Sequence, residues 1–490
     1  MKNVLLFAAF FFVCSVIILV HSASARISFF DNKVNVDGYI QNQTSYRISS
    51  DNHEFVSSEN RLQVEMSAGI NDNLSLHGVY RGLYDAIYDL RHDSDHWSRL
   101  YSGSRDSLCI ESKMREYYAD ITLWEVDLRI GKQQVVWGES DGLRLMDIVN
   151  PLDMRRQYIT RDWEDIRIGQ HMVKAVYGID PLNNSFLELV WNLGDIERDK
   201  IYSDTTMSDR HKSPWTISNS LALESLVPLR TNGWVDMPED SASDWSFSDS
   251  EVGGRIGGNL GNWFVTLNCW YSFSDTPVLE GDLTTLEPFL LGIGPPPPLP
   301  VHLTYKYPRE TVIGFTFNKP TGLWVWRGEF ATYLDKHYNK TEIGLFLPNI
   351  KIVKKVQQAS MLGFDYKNLF KWLNPEKMIF ISGQVFYHHI FNYDKELQFG
   401  PYSQTPREDS FVLSFLANTG YDMERICPEV LVVYDTANTG LYIKSIVELK
   451  YGDYWRPQLG ALLFFGDQQE LPFGEMRKND EIYLRIKYQF

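Results

Sequence analysis

The last ten residues constrain the fold of this chain more than any other segment. Residues 481–490 alternate between apolar and polar side chains without a break, with Ile482 and Leu484 on one face and Arg485 and Lys487 on the other. A period of two is typical of a β-strand, whereas an amphipathic helix repeats about every 3.6 residues. About ten residues of tilted strand cross the apolar core of a bilayer. The segment therefore predicts one strand of a wall between lipid and water, with an amphipathic edge strand of a soluble β-protein as the alternative.

The chain ends on an aromatic residue, and a second aromatic residue precedes it by two positions. These residues are Phe490 and Tyr488. This ending resembles the closing strand of Gram-negative outer-membrane barrels, in which the terminal pattern is the assembly signal. The resemblance implies that Tyr488 and Phe490 form the assembly signal and that the barrel-assembly machinery is a partner.

The same alternation recurs along the rest of the chain. It is clearest at 61–70, where Leu62 and Val64 oppose Arg61 and Gln63. Alternation and turn residues together predict 18 strands, with counts of 16 and 20 as alternatives because strand boundaries are the least certain part of such a prediction. The predicted strands are 34–48, 61–70, 74–84, 112–122, 126–134, 170–178, 184–192, 252–259, 262–272, 309–318, 322–333, 356–367, 377–389, 409–418, 427–436, 441–451, 456–465 and 480–490.

The connections between the predicted strands differ in length in a regular way. Taken alternately, one set is short, as at 71–73 and 123–125, and the other set is mostly long, as at 135–169 and 334–355, with 437–440 as the exception. Transmembrane barrels have short periplasmic turns and long outer loops. The predicted fold class is therefore all-β, a closed antiparallel transmembrane β-barrel in the outer membrane with both termini on the periplasmic side.

The N-terminal residues have the features of a secretory signal peptide. A short basic start precedes an apolar run from Val4 to Val20, and a stretch of small residues ends at Ala25. This pattern predicts cleavage after Ala25. A retained membrane anchor is the alternative, because the run is close to the minimum length for spanning. The predicted organisation is a leader over 1–25 and a single barrel domain over 26–490.

Composition and motifs argue against several classes of function. The net charge is −16 and no basic tract is present, so nucleic acid is not an expected partner. Cys109, Cys269 and Cys427 follow the leader without the spacing of a metal site or a disulfide framework. No nucleophile motif of the Gly-x-Ser-x-Gly type occurs. We therefore predict that the chain is not an enzyme and has no catalytic residues, no metal and no cofactor.

The densest mixture of charge lies between the fifth and sixth predicted strands, at 135–169. Asn150 followed by Pro151 predicts a short helix there, with Asn as its cap. If this loop folds into the lumen, its opposed charges would narrow a pore and select solutes, and Trp137 and Trp163 favour that placement because aromatic side chains need a packing partner. The alternative is a solvated outer loop whose charges pair with one another and with lipopolysaccharide-bound cations. The predicted constriction residues are Glu139, Asp141, Arg144, Asp147, Asp153, Arg155, Arg156, Arg161, Asp162, Glu164, Asp165 and Arg167.

Charged residues at inward positions of the strands predict a wet lumen. Their simplest role is to keep the inner wall soluble and to form salt bridges between neighbouring strands, and contact with a solute is the more specific interpretation. The predicted lumen-wall residues are Arg61, Glu65, Lys444, Glu448, Lys450, Arg485 and Lys487.

Two blocks of sequence resemble a known family. The first contains Gly131-Lys-Gln, Trp137-Gly-Glu-Ser-Asp-Gly142 and Asp147-Ile-Val-Asn-Pro-Leu-Asp153, and the second is the ending 479–490. Together they closely resemble the Gram-negative family named domain of unknown function 1302, and a shorter version of the first block is similar to segments of alginate-export and other substrate porins. The resemblance implies an outer-membrane barrel that is sometimes encoded near periplasmic lipoprotein-sorting-like proteins and RND-type exporters, which suggests lipid or other hydrophobic cargo.

The predicted function is a porin-like channel that passes small or amphipathic solutes through a charged, water-filled lumen. Outer-membrane lipids and lipopolysaccharide are its expected surroundings. Two alternatives stay open. One is the outer-membrane component of a lipid or hydrophobic-compound export system, with a periplasmic or exporter partner. The other is a surface-binding barrel that uses loop 193–251, in which a short helix is predicted at 216–226.

Overall fold

A computed structural model describes most of the chain. The described residues are 27–29, 33–49, 53–91, 108–141, 143–156, 161–200, 215, 229, 232–236, 246–398, 405–467 and 473–490. The predicted leader, residues 1–25, and the predicted helix at 216–226 lie outside them.

The described strands form one sheet of 22 strands, four of them short additions to the barrel, and a separate sheet of two short strands. The remaining 18 form a closed antiparallel barrel, which confirms the predicted fold class and strand number. They are β1 (Val34–Arg47), β2 (Glu54–Asn71), β3 (Leu74–Asp85), β4 (Ile110–Leu123), β5 (Val126–Gln133), β6 (Gln170–Asp180), β7 (Ser185–Asn192), β8 (Glu251–Leu260), β9 (Trp263–Phe273), β10 (Arg309–Thr321), β11 (Trp324–Ile343), β12 (Pro348–Asn368), β13 (Ile379–Ile390), β14 (Asp409–Asn418), β15 (Ile426–Asp435), β16 (Gly440–Leu449), β17 (Trp455–Phe465) and β18 (Glu481–Gln489).

The barrel closes between its first and last strands. β18 pairs antiparallel with β1, from Tyr39 opposite Gln489 to Arg47 opposite Glu481. The backbone amide of Phe490 donates to Gly38 O at 2.9 Å, and that of Gly38 donates to Phe490 O at 3.0 Å. Because every barrel strand has two neighbours, no edge remains to pair with another chain.

The connections contain only short elements. The short strands are Ile27–Phe29, Val235–Asp236, Val278–Asp282, Val301–His302, Thr304–Lys306 and Leu397–Gln398. The helices are α1 (Ile87–Leu90), α2 (Trp163–Ile166) and α3 (Glu287–Leu290), together with 3-10 turns at Pro181–Asn183, Phe247–Asp249, Leu283–Leu286 and Glu475–Asn479. Among the described residues, no helix has the length and apolar character that crossing a membrane requires.

The apolar face of the strands points outward. In β18, Ile482, Leu484 and Ile486 are 41%, 49% and 40% exposed, whereas Glu481 and Tyr483 on the opposite face are 0% and 1% exposed. A soluble protein would bury the apolar residues instead. A cylinder with an apolar outside and a polar inside is the structure that a bilayer stabilises. The chain is therefore an outer-membrane β-barrel, as predicted.

Aromatic side chains gather on the outer face near the short-turn end of the barrel. Trp324 lies with its ring centroid 4.3 Å from that of Tyr366 and 5.9 Å from that of Trp326. Trp455 lies 4.9 Å from the ring centroid of Tyr488. Such girdles mark the boundary between the apolar core of a membrane and water. Tyr488 thus belongs to the interfacial girdle at the end that we assign to the periplasm.

One predicted long loop is a hairpin extension instead. β11 and β12 contain 20 and 21 residues, and their register continues from Lys336 opposite Lys355 to Ile343 opposite Pro348. The prediction of a loop at 334–355 was wrong because residues 335–342 of β11 are polar at every position except Tyr338, which removes the apolar alternation that marks a membrane strand. Above the barrel, β12 packs against a buried apolar cluster that includes Leu279, Leu283 and Leu303.

Candidate functional site

The connection between β5 and β6 crosses the inside of the barrel. We name residues 134–169 the inner loop. On one side, Arg61 of β2 donates to Asp165 of the inner loop at 2.6 Å. On the other side, Arg327 of β11 donates to Glu139 O at 3.0 Å. Because β2 and β11 lie half the barrel apart, the inner loop contacts opposite walls of the lumen.

A single buried asparagine holds the two ends of the inner loop together. The side chain of Asn150 accepts from Val135 N at 2.7 Å and donates to Ile168 O at 2.8 Å and to Gln133 O at 3.3 Å. The predicted helix at Asn150 is therefore wrong. The amide instead satisfies three backbone groups in two chain segments, and the one helix among the described residues of the loop is α2.

Trp137 fixes the first part of the inner loop to the wall. Its ring is buried and packs edge to face on Trp270 of β9, with centroids 5.6 Å apart. Its Nε1 donates to the Glu188 carboxylate of β7 at 2.6 Å. A buried indole that is both packed and hydrogen-bonded is a strong anchor.

Met146 fixes the middle of the inner loop to the adjoining wall, formed by β10 to β13. It is fully buried in an apolar cluster with Val312, Ala331, Ala359, Met361 and Phe386 from β10 to β13. Its approach requires Gly314, where a Cβ would collide with the Met146 thioether. The Glu329 carboxylate accepts from Met146 N at 2.9 Å and also from Glu139 N.

Asp165 is the centre of a charge network that joins the inner loop to three strands. Its carboxylate contacts Arg61 at 2.6 Å, Arg115 at 3.5 Å and Arg81. Burial alone would raise the pKa of Asp165, but Arg61, Arg81 and Arg115 hold it well below its usual value. Arg115 also donates to Glu164 O at 2.5 Å.

A second network uses arginines of the inner loop. Glu59 of β2 contacts Arg161 at 2.6 Å and Arg156 at 3.7 Å, and Glu111 of β4 contacts Arg156 at 3.4 Å and Arg155 at 3.7 Å. Burial would lower the pKa of Arg156, but Glu111 and Glu59 raise it above its usual value. The guanidiniums of Arg155, Arg156 and Arg161 thus bind carboxylates of the barrel wall.

Other charges pair within the inner loop or with its far wall. Asp153 lies 2.6 Å from Arg155, and Asp147 lies 2.6 Å from Arg167 and 3.3 Å from Arg144. Burial would raise the pKa of Asp153, but hydrogen bonding and the charges of Arg155 and Arg156 hold it below its usual value. Asp141 contacts Arg327 of β11 at 3.2 Å.

A large cavity lies on the short-turn side of the inner loop. It measures about 1150 Å³ and extends from Asp162, Glu164 and Asp165 of the loop to turn residues such as Gly420 and Asp453. We name it the periplasmic vestibule. Six of the seven predicted lumen-wall residues line it, namely Glu65, Lys444, Glu448, Lys450, Arg485 and Lys487. The seventh, Arg61, lies behind Asp165.

A smaller cavity lies on the long-loop side of the inner loop. It measures about 360 Å³, and Arg144, Lys336 and Asn438 are among the residues that line it. The inner loop thus separates two polar spaces inside one cylinder.

The twelve predicted constriction residues divide by position. Arg155, Arg156, Arg161 and Arg167 are held in ion pairs, and Arg144, Asp147 and Asp153 bind these or each other. Glu139 contributes its backbone amide, and Asp141 binds the wall. Asp162, Glu164 and Asp165 line the vestibule.

Several participants were missed by the sequence reasoning. Glu59, Arg81, Arg115, Glu111 and Glu329 all bind the inner loop. The strand alternation could have placed Glu59 on the inner face beside Arg61. The alternation could not have shown which residue of the inner loop binds each of these wall residues, because those contacts depend on the path of the loop.

A comparison with family models finds one that covers nearly the whole chain. The model described as "Protein of unknown function (DUF1302)" matches residues 7–490. No curated protein matches the chain significantly in sequence.

Three solved structures are similar to this chain over most of its length. OccAB3 of Acinetobacter baumannii has a TM-score of 0.49 and 11% identity, covering 93% of this chain and 99% of its own. OccK2 (OpdF) of Pseudomonas aeruginosa, in complex with glucuronate, has a TM-score of 0.48 and 8% identity, covering 95% of this chain and 99% of its own. OmpF of Salmonella typhi, in complex with daunomycin, has a TM-score of 0.40 and 8% identity, covering 95% and 100%.

Proposed function

The chain belongs to the DUF1302 family, and from the geometry of its lumen we propose that it is a porin-like outer-membrane channel for small or amphipathic solutes. The observation that carries this proposal is the periplasmic vestibule, a charged cavity of about 1150 Å³ inside a closed transmembrane barrel. A wall this rich in charge holds water, and a wet lumen is the requirement for passive diffusion of polar solutes.

We propose that the inner loop is the constriction of the pore. The charges that we assign to solute selection differ from the set predicted from the sequence. The loop arginines anchor the loop, so they do not supply the basic side of the field. Asp162 and Glu164 supply the acidic side, and Lys444 of β16 interacts electrostatically with Asp162 from the wall. The transverse field that selects solutes would thus run between loop carboxylates and wall ammonium groups.

Conductance of the purified protein in planar bilayers tests the channel. We expect ion-conducting steps over a range of voltages, and a protein that inserts and passes no current would contradict the proposal. Cys427 supplies a position-specific check, because its thiol lines the periplasmic vestibule. A cationic methanethiosulfonate reagent added on the short-turn side should change the wild-type current and leave Cys427→Ser unchanged. Cys269, which faces outward on β9, is the matched control for substitution.

The export component is the second candidate function. It is favoured by the fact that the larger described cavity reaches the short-turn end, where cargo from the periplasm would enter. In that case a periplasmic or exporter partner would be needed, and the barrel alone would conduct no current.

The last proposals concern the machinery that assembles the barrel and the lipid that surrounds it. We propose that Tyr488 and Phe490 are read by the barrel-assembly machinery and that lipopolysaccharide surrounds the long-loop end. Tyr488 lies in the interfacial girdle, and Phe490 is buried at the closing seam.

A further inference from the structure

Two neighbouring strands, β17 and β18, present a basic surface to the periplasmic vestibule. Arg456 of β17 and Lys487 of β18 lie directly opposite each other in register, and both face inward. Arg485 follows two positions away on β18, opposite Gln458 on one side and Gln43 on the other. All of these residues except Gln43 line the vestibule.

Neutral groups hold these cations in place. Arg456 donates to the carbonyl oxygens of Gly452 at 2.9 Å and Asp453 at 3.0 Å. Lys487 lies 4.2 Å from the centroid of the Tyr39 ring. Within the described part of the chain, neither Arg456 nor Lys487 is in an ion pair with a carboxylate.

Acidic side chains are nearly absent from this surface. The inward positions of segments 456–458, 485–489 and 37–43 carry one carboxylate side chain, Asp37, which is nearest the mouth. Like charges that are directly opposite in a sheet destabilise it. The Arg456 and Lys487 pair is therefore a local positive centre in a cavity whose other lining residues include carboxylates such as Glu448 and Glu424.

The wall that adjoins these strands is partly apolar. Phe380 of β13, Ile446 of β16 and Pro428 of β15 line it together with Met378. A solute at this wall would meet cations and amide donors on β17 and β18 and apolar carbon on the strands beside them.

We propose that the Arg456 and Lys487 pair, with Arg485 beside it, is a binding site for small amphipathic carboxylates that enter from the short-turn side. The carboxylate would accept charge-assisted hydrogen bonds from the cations, and its apolar body would lie against Phe380 and Ile446. This proposal names the solute class of the proposed channel and rests on that function for its transport meaning. The binding itself does not require conductance.

Binding of 4-fluorobenzoate to the purified full-length barrel in micelles tests the site, with 19F NMR as the readout. We expect saturable binding to the wild type, and a loss of affinity of about tenfold or more in the double variant R456Q/K487Q, because each charge-assisted hydrogen bond contributes roughly a tenfold change in an equilibrium constant. The charge-preserving double variant R456K/K487R should retain binding. The control variant is Lys351→Gln. It removes a cation on the extension of β12 that pairs with Glu342 of β11, and it should bind as the wild type does.

Three results would overturn the proposal. They are absence of saturable binding to the folded wild type, equal affinity of R456Q/K487Q and wild type, and equal binding of the neutral analogue 4-fluorobenzamide. Circular dichroism of each variant checks that the barrel is folded. The binding assay measures no current, so it is independent of conductance. Saturable binding by a barrel that passes no ions would contradict the proposed channel and support the proposed binding site.

Discussion

The guanidinium of Arg61 on the inner wall lies 2.6 Å from the carboxylate of Asp165 in the inner loop. Arg61 also lies 2.8 Å from Glu59, which in turn binds Arg161 of the same loop at 2.6 Å. Wall and loop are therefore joined by alternating buried charges. In such a network the removal of one partner leaves another charge buried and uncompensated. The position of the inner loop depends on these pairs more than on its own secondary structure.

The first prediction concerns Asp165→Asn. This change should weaken the attachment of the inner loop by about 3 kcal/mol, because Arg61 and Arg81 lose their shared counter-charge. We expect a larger and noisier single-channel current and faster proteolysis within 134–169. Asp120→Asn is the matched control, because its pair with Arg129 at 2.7 Å is partly exposed and should contribute less than about 1 kcal/mol. Equal behaviour of the two variants would contradict the anchoring role.

The second prediction concerns the stability of the inner loop at acidic pH. Burial raises the pKa of Asp165, but the charges of three arginines lower this pKa by a larger amount. The pKa of Asp165 in the folded protein therefore lies below its unfolded value of about 4. A carboxyl of this kind stabilises the loop fully above the unfolded pKa, and the stabilisation is lost as the pH falls through the folded pKa. We expect proteolysis of the inner loop to stay slow from neutral pH down to about pH 4. Release of the loop with a midpoint above about pH 5 would be inconsistent with this network.

The third prediction separates anchoring charges from selecting charges. The double variant D162N/E164Q should shift ion selectivity toward anions several-fold while the barrel stays intact, because a charge about 4 Å from the ion path contributes roughly 1 kcal/mol in water. The double reversal R155E/R156E should instead disturb the loop, since both arginines are bound to Glu111. Reversal potentials in asymmetric salt, together with proteolysis of the loop, distinguish the two effects. A clean selectivity change in R155E/R156E with an intact loop would reverse this assignment.

The fourth prediction concerns the closing seam. A Cβ at Gly38 would collide with the carbonyl oxygen of Gln63 and lie 3.1 Å from Cζ of Phe490. Gly38→Ala should therefore destabilise the barrel by about 1–3 kcal/mol, because backbone on the neighbouring strand cannot move aside cheaply. The urea midpoint of unfolding measures the effect. Gly178→Ala is the control, since nothing lies within 4 Å of a Cβ at that position, and an equal loss there would show that the seam is not special.

The strands could be predicted because their pattern is local. One face of each membrane strand contacts lipid and the other faces the lumen. The outward orientation of Ile482 and Leu484 can therefore be predicted from their own strand alone. The same logic identified the inward positions of Lys444, Arg485 and Lys487. It failed beyond the membrane, where residues 335–342 of β11 are polar at every position except Tyr338 and the dyad pattern disappears.

The candidate site was predictable in composition and not in arrangement. The charges of 135–169 are visible in the sequence, yet the sequence does not show that Arg156 and Arg161 bind wall carboxylates while Asp162 and Glu164 face the vestibule. Asn150 shows the same limit. Its local context is that of a helix cap, but its amide is used by Val135 and Ile168, which the folded loop brings close to it.

By itself, the sequence determined a closed outer-membrane barrel of about 18 strands with a polar inner face, since each follows from a period of two that the strands carry independently. Only the tertiary structure decided which charges are neutralised and which remain exposed to the vestibule. The physical reason is that an ion pair requires two groups at a few ångströms, and the partners of Asp165 lie on β2, β3 and β4, far away in sequence.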